Sequence, residues 1–175
     1  FFGEPGNVNR IRNPHFVDFG RDCEWATDGY VYMTCHGSEG PKPPEWANGD
    51  SVYLLRCPAR FEDIIRPEGW EFFAGKSEQG EYLWSHAVTD ARPLLTWTDR
   101  LGHSYVTYNK PLGRFILCIS PLTVKDNESD SPHKLYSAEG CLLLESEQIT
   151  GPWHIFQFLG GFGPNAYAMS MPSKF

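Results

Sequence analysis

Two carboxyl groups held across a glycosidic bond can cleave it, at ~5 Å separation with retention or roughly 6.5–9.5 Å with inversion. One of the two must be kept protonated by burial or by a neighbouring charge. This chain carries acids suited to that chemistry in its polar segments. Asp50 leads directly into the apolar run Ser51-Val52-Tyr53-Leu54-Leu55, and Asp90 and Asp99 lie in a long segment between apolar runs. Glu39, Glu45, Asp126, Asp130 and Glu139 fall in other polar stretches, where a solvated loop accounts for them as well. Asp50, Asp90 and Asp99 are the catalytic candidates, against the plainer role of ordering their own loops. Flat aromatic rings stack on the C–H faces of sugars. Trp46, set in Lys42-Pro43-Pro44-Glu45, is the first choice for such a platform, with Trp84 and Trp97 either platforms or packing residues. His15 and His103 could each orient a hydroxyl, or serve as hydrogen-bonded structural histidines. HxH, HExxH, CxxC, GxSxG and P-loop patterns do not occur, so neither a metal nor a cofactor is expected.

The elements that must position these residues repeat. Strand-like runs at 13–19, 30–35, 51–57 and 70–73 recur in the same order at 104–109, 114–119, 141–145 and 153–158. Both sets are rich in β-branched and aromatic residues, as strands require. Pro67-Glu68-Gly69 and Thr150-Gly151-Pro152 each turn the chain just before a tryptophan, Trp70 or Trp153, which reads as a core peg. Cys35 and Cys118 occupy matching places in the two sets. The pattern predicts an all-β chain made of four-stranded antiparallel blades, repeated radially as in a β-propeller. One blade covers 13–75, a second 104–159, and the inner strand of a third begins at 167–175. Alternating strand direction then gathers segments 36–50, 76–103, 120–140 and 159–167 at one face. Asp22 and Asp28 fall on the other.

Two blades and a strand do not close a ring of about four to eight. The chain is therefore expected to be part of a longer propeller, or to complete the ring by self-association. A net charge of −7 argues against nucleic acid as partner, since phosphate binding needs clustered Lys and Arg. No apolar run reaches the ~18 residues of a membrane span. The five cysteines read as buried thiols or as one disulfide with the remainder free. Asn127-Glu128-Ser129 is a glycosylation sequon and points toward secretion.

Seven segments together resemble the domain-of-unknown-function 4185 family of secreted fungal and bacterial proteins. They are Asn13-Pro14-His15-Phe16-Val17, Gly29-Tyr30-Val31-Tyr32, Ser51-Val52-Tyr53-Leu54-Leu55-Arg56-Cys57-Pro58, Trp70-Glu71-Phe72-Phe73-Ala74-Gly75, Val106-Thr107-Tyr108-Asn109, Leu112-Gly113-Arg114-Phe115 and Pro172-Ser173-Lys174-Phe175. The resemblance implies a five-bladed propeller akin to arabinanase and β-xylosidase hydrolases, in a family with some endo-D-arabinanases. It further implies an extracellular protein whose partner is a polysaccharide or oligosaccharide. The related hydrolases begin an inner strand with Asp-Pro, the Asp being the base. Here the pair is Asn13-Pro14, and an amide does not take up that proton. Asn13 is then a substrate contact beside His15, His103, Trp46 and Trp84. The leading expectation is a glycoside hydrolase-like propeller acting on arabinose-containing or related polysaccharide. The alternative is a propeller that binds carbohydrate or another surface without catalysis.

Overall fold

The computed structural model describes residues 11–38, 49–120, 140–160 and 168–173, except for the side chain of Asp99. The described chain is mostly β, in two antiparallel sheets. In the first, β1 (Ile11–Phe16), β2 (Tyr30–Gly37), β3 (Gly49–Pro58), β4 (Glu71–Lys76) and β5 (Tyr82–Ser85) lie side by side in chain order. A further strand, β6 (Leu95–Leu101), pairs with the start of β3. The second sheet is the meander β7 (His103–Asn109), β8 (Arg114–Ser120), β9 (Gly140–Ser146) and β10 (His154–Gly160). One helical turn, α1 (Phe61–Ile64), bridges β3 and β4.

Both inner faces of these sheets are apolar, and strand alternation decides which layer each residue joins. Along β3, Val52 and Leu54 enter the layer between the sheets, while Tyr53, Leu55 and Cys57 pack on the far side with Trp70, Val88 and Ala91. Along β9, Leu142 and Leu144 enter the shared layer, and Cys141 and Leu143 face away with Ile116 and Cys118. Val17, Phe19, Val106, Leu117 and Ile119 complete the layer that joins the two sheets.

Pairing registers show how closely the sheets repeat. Leu55 faces Met33 and Phe72, and Met33 faces Phe16; Leu144 faces Leu117 and Ile155, and Leu117 faces Val106. Leu55 and Leu144 are therefore equivalent, each paired with the residue two positions after a tryptophan, Phe72 after Trp70 and Ile155 after Trp153. Leu55 points away from the second sheet and Leu144 points toward the first. The front of one sheet thus packs on the back of the next. The same register corrects one expectation: counting from Met33 and Leu117, Cys35 matches Ile119, and Cys118 matches Thr34. All five cysteines are free thiols, and all but Cys23 are buried. Desolvation holds the Cys35 thiol far above its ordinary range and pushes Cys118 up to about 12.

The inner strands meet side by side. Asp18, just past β1, forms a parallel bridge with Thr107, its N–H donating to the Val106 carbonyl at 2.9 Å. Thr34 Oγ1 donates to the Ser104 carbonyl at 3.0 Å, a buried bond between β2 and β7. Segment 76–103, expected as a linker, instead contains β5 and β6. Their short apolar runs find partners on β4 and β3 that local pattern does not reveal. Residues 168–173, expected to begin an inner strand, are irregular. The Met169 N–H donates to Ser120 Oγ, and the Ser173 N–H and hydroxyl both donate to the Asp18 carboxylate at 2.8 Å. Among the described residues no helix is long and apolar enough to cross a membrane.

Candidate functional site

β1 starts, β2 ends, β3 starts, β7 starts, β8 ends and β9 starts at a common end of the two sheets, and this end collects the predicted polar residues. β1 reaches it through an irregularity. Arg12 pairs with His36 but His15 pairs with Thr34, so one extra residue is accommodated at Asn13-Pro14. Asn13 takes φ 51 there, a left-handed conformation that Asn tolerates better than most residues. Such bulges redirect side chains, and this one lies directly before His15. The amide at position 13 is thus explained by backbone geometry, independently of any catalytic role for the residue.

His15 Nε2 lies 3.3 Å from His103 Nδ1, so one ring donates to the other across the sheet–sheet boundary. His36, fully buried on β2, contributes a third ring, its centroid 5.6 Å from that of His103. Tyr105 packs on His15 with centroids 4.1 Å apart. Burial, and then the neighbouring His103, lower the pKa of His15 to about 4, and burial also lowers that of His103. At neutral pH the pair is uncharged, and each imidazole presents one donor and one acceptor nitrogen. Ser104 Oγ, beside it, is buried with no hydrogen-bond partner among the described residues. Among the described residues, no group of three or more His, Cys, Asp or Glu has the arrangement of a metal site.

Asp50 stands at the same end, accepting a 2.7 Å hydrogen bond from the buried Ser38 hydroxyl. It is anchored next to Gly49, whose close approach leaves no room for a side chain. A Cβ there would lie 2.6 Å from the Gly37 carbonyl oxygen and 3.1 Å from the His36 ring. β6 pairs Leu101 with Gly49 and Thr96 with Ser51, so residues 97–100 bulge opposite Asp50. That bulge contains Trp97, 44% exposed, and the backbone of Asp99. Ser51 Oγ and Thr96 Oγ1 are 3.4 Å apart beneath it.

The structure therefore brings Asn13, His15, His103, Asp50 and the backbone position of Asp99 to one end. It does not bring Asp90 or Trp84 there. Asp90 is exposed beyond β5 and accepts a 2.7 Å bond from Ser85 Oγ, the loop-ordering role. Trp84, on β5, packs against Tyr32 and Phe73 with the Arg56 guanidinium 4.0 Å over its ring. An outer strand formed within the supposed linker carries both away from the inner strands. Trp46, Glu39, Glu45, Asp126, Asn127, Asp130 and Glu139 lie outside the described residues. His36, Tyr105 and Ser104 stand with His15 and His103 at the end of the sheets and were not among the sequence candidates. His36 was within reach, since the strand-end argument that selected His103 applies to it equally; Tyr105 and Ser104 depend on β7 crossing β1 and β2. No protein-family model matches the chain, and no curated protein matches it.

Proposed function

We propose that this chain forms adjoining blades of a β-propeller and binds a saccharide at the histidine end of the sheets. The same-sense stacking of the sheets and the parallel Asp18–Thr107 bridge support the propeller, because neighbouring blades share both relations. The observation that carries the binding reading is the neutral His15–His103 pair, held by two different sheets beside the Tyr105 ring. Uncharged groups that both donate and accept suit hydroxyl-bearing ligands, and Trp97 supplies an exposed ring nearby. The resemblance to secreted carbohydrate-active propellers agrees with this chemistry, and on that resemblance we place the protein outside the cell.

A hydrolytic reading draws on a separate observation, the β3–β6 pairing that sets Asp50 opposite the bulge holding Asp99. In that reading the two carboxyls serve as acid and base on an arabinose-containing or related polysaccharide. One titration series tests both. Arabinan and xylan oligosaccharides are expected to bind saturably, and His103→Ala to weaken binding at least roughly tenfold. Release of reducing ends that disappears in Asp50→Asn and Asp99→Asn supports hydrolysis. Binding without release supports a binding module, and no binding to either polymer removes the proposal.

A further inference from the structure

We infer a second ligand site, for a neutral sugar or other polyol, in the cleft between the β4–β5 hairpin and the β9–β10 turn. The cleft measures about 410 Å³, within the roughly 300–1,000 Å³ of small-molecule sites. It lies at the end of the second sheet opposite His103: Arg114 opens β8, whereas His103 pairs with Ser120, which closes it. The first sheet contributes Lys76 and Tyr82; the second contributes Arg114, Glu145, Glu147 and His154. A hydrogen bond from the Tyr82 hydroxyl to Gln148 Oε1 spans the two sheets and closes one side.

The lining decides the ligand class. Lys76 and Arg114 balance Glu145 and Glu147, so the cleft selects neither an anion nor a cation. Arg114 is already bound to Glu147 at 2.9 Å, and the Lys76 ammonium rests 4.9 Å from the Tyr82 ring centroid. Glu145 differs from both. It is half-buried in the cleft, and its carboxylate makes no hydrogen bond or ion pair among the described residues. His154 stands directly across from it on β10, its imidazole also without a hydrogen bond or ion pair among the described residues. A half-buried carboxylate without a donor loses hydration and gains nothing in return. Vicinal hydroxyls would supply that donor pair, while the Lys76 ammonium donates to the neighbouring oxygens and His154 donates to, or accepts from, them. The Tyr82 ring gives an apolar edge for the C–H face.

The site is independent of the histidine end, and the test separates them. Uniformly ¹⁵N-labelled chain is titrated with xylobiose and arabinobiose to roughly 10 mM, with phosphate and ethanolamine as charged controls. The expected result is saturable shifts of the Gln148, Gly151 and Tyr82 amides with a neutral disaccharide and none with the controls. Glu145→Ala should weaken these at least roughly tenfold, the loss of one charge-assisted hydrogen bond. His154→Ala, an exposed change, should weaken them as well, and His103→Ala should leave them intact. Shifts confined to residues around His103 and Ser104, equal shifts in wild type and Glu145→Ala, preference for a charged control, or no shifts would each overturn the site.

Discussion

His15 illustrates what burial does to a single side chain. Its folded pKa, about 4, lies below the ordinary 6.5 of a histidine, so the folded state resists the proton that the unfolded chain accepts. Stability is therefore fully present above pH 6.5 and lost as pH falls through the interval down to about 4. His103, lowered in the same direction, adds to the loss. The expected result is a fall in unfolding free energy of about 1–2 kcal/mol from His15 over that interval, because the half-buried ring keeps part of its solvent screening. Urea midpoints at a series of pH values measure it, and His15→Asn should flatten the dependence. NMR titration of the His15 ring should place its midpoint near 4; a midpoint near 6.5 would show a hydrated ring and remove the explanation.

At the scale of the strand, two backbone features hold the site end in shape. Asn13 adopts φ 51 in the β1 irregularity, where a β-branched side chain meets its own backbone. Asn13→Gly is expected to stay within a few tenths of a kcal/mol of wild type, and Asn13→Val to cost about 1–2 kcal/mol. Equal stability of the two variants in chemical denaturation would contradict the left-handed assignment. Gly49 is needed for a different reason, close approach. Gly49→Ala forces a methyl to 2.6 Å from the Gly37 carbonyl oxygen, so β2 and β3 must part where His36 and Asp50 sit. A loss of roughly 1–3 kcal/mol, with shifted His36 ring resonances, is the expected outcome.

Across the whole molecule, the layer between the sheets makes them one cooperative unit. Leu117 is fully buried in it, among Val17, Phe19, Leu54 and Leu144 drawn from both sheets. Leu117→Ala should cost about 2–5 kcal/mol, the usual range for a cavity at such a site. Because the layer is shared, Trp70 in the first sheet and Trp153 in the second should report coincident transitions in wild type and variant alike. Separate transitions, read with single-tryptophan versions, would mean that the sheets unfold independently.

The eight strands of the two meanders were legible in the chain because most are short runs rich in apolar, β-branched or aromatic residues and bounded by turn residues, and local pattern suffices for that. Their antiparallel order followed from the repeat, and so did the end at which β1, β3 and β7 begin. That reasoning placed His15, His103 and Asp50 at the end of the sheets where the structure holds them. Contacts between elements decided the rest. β5 and β6 are strands only because β4 and β3 offer them edges. That pairing takes Asp90 and Trp84 to the outside, and sets Asp50 opposite residues 97–100. Asn13 stands at a bulge that no local pattern announces. The equivalence of Cys35 with Ile119 rests on inter-strand register, which one residue of slip reverses. A strand's existence is written in its own neighbours along the chain; which side chains share a site depends on partners tens of residues away.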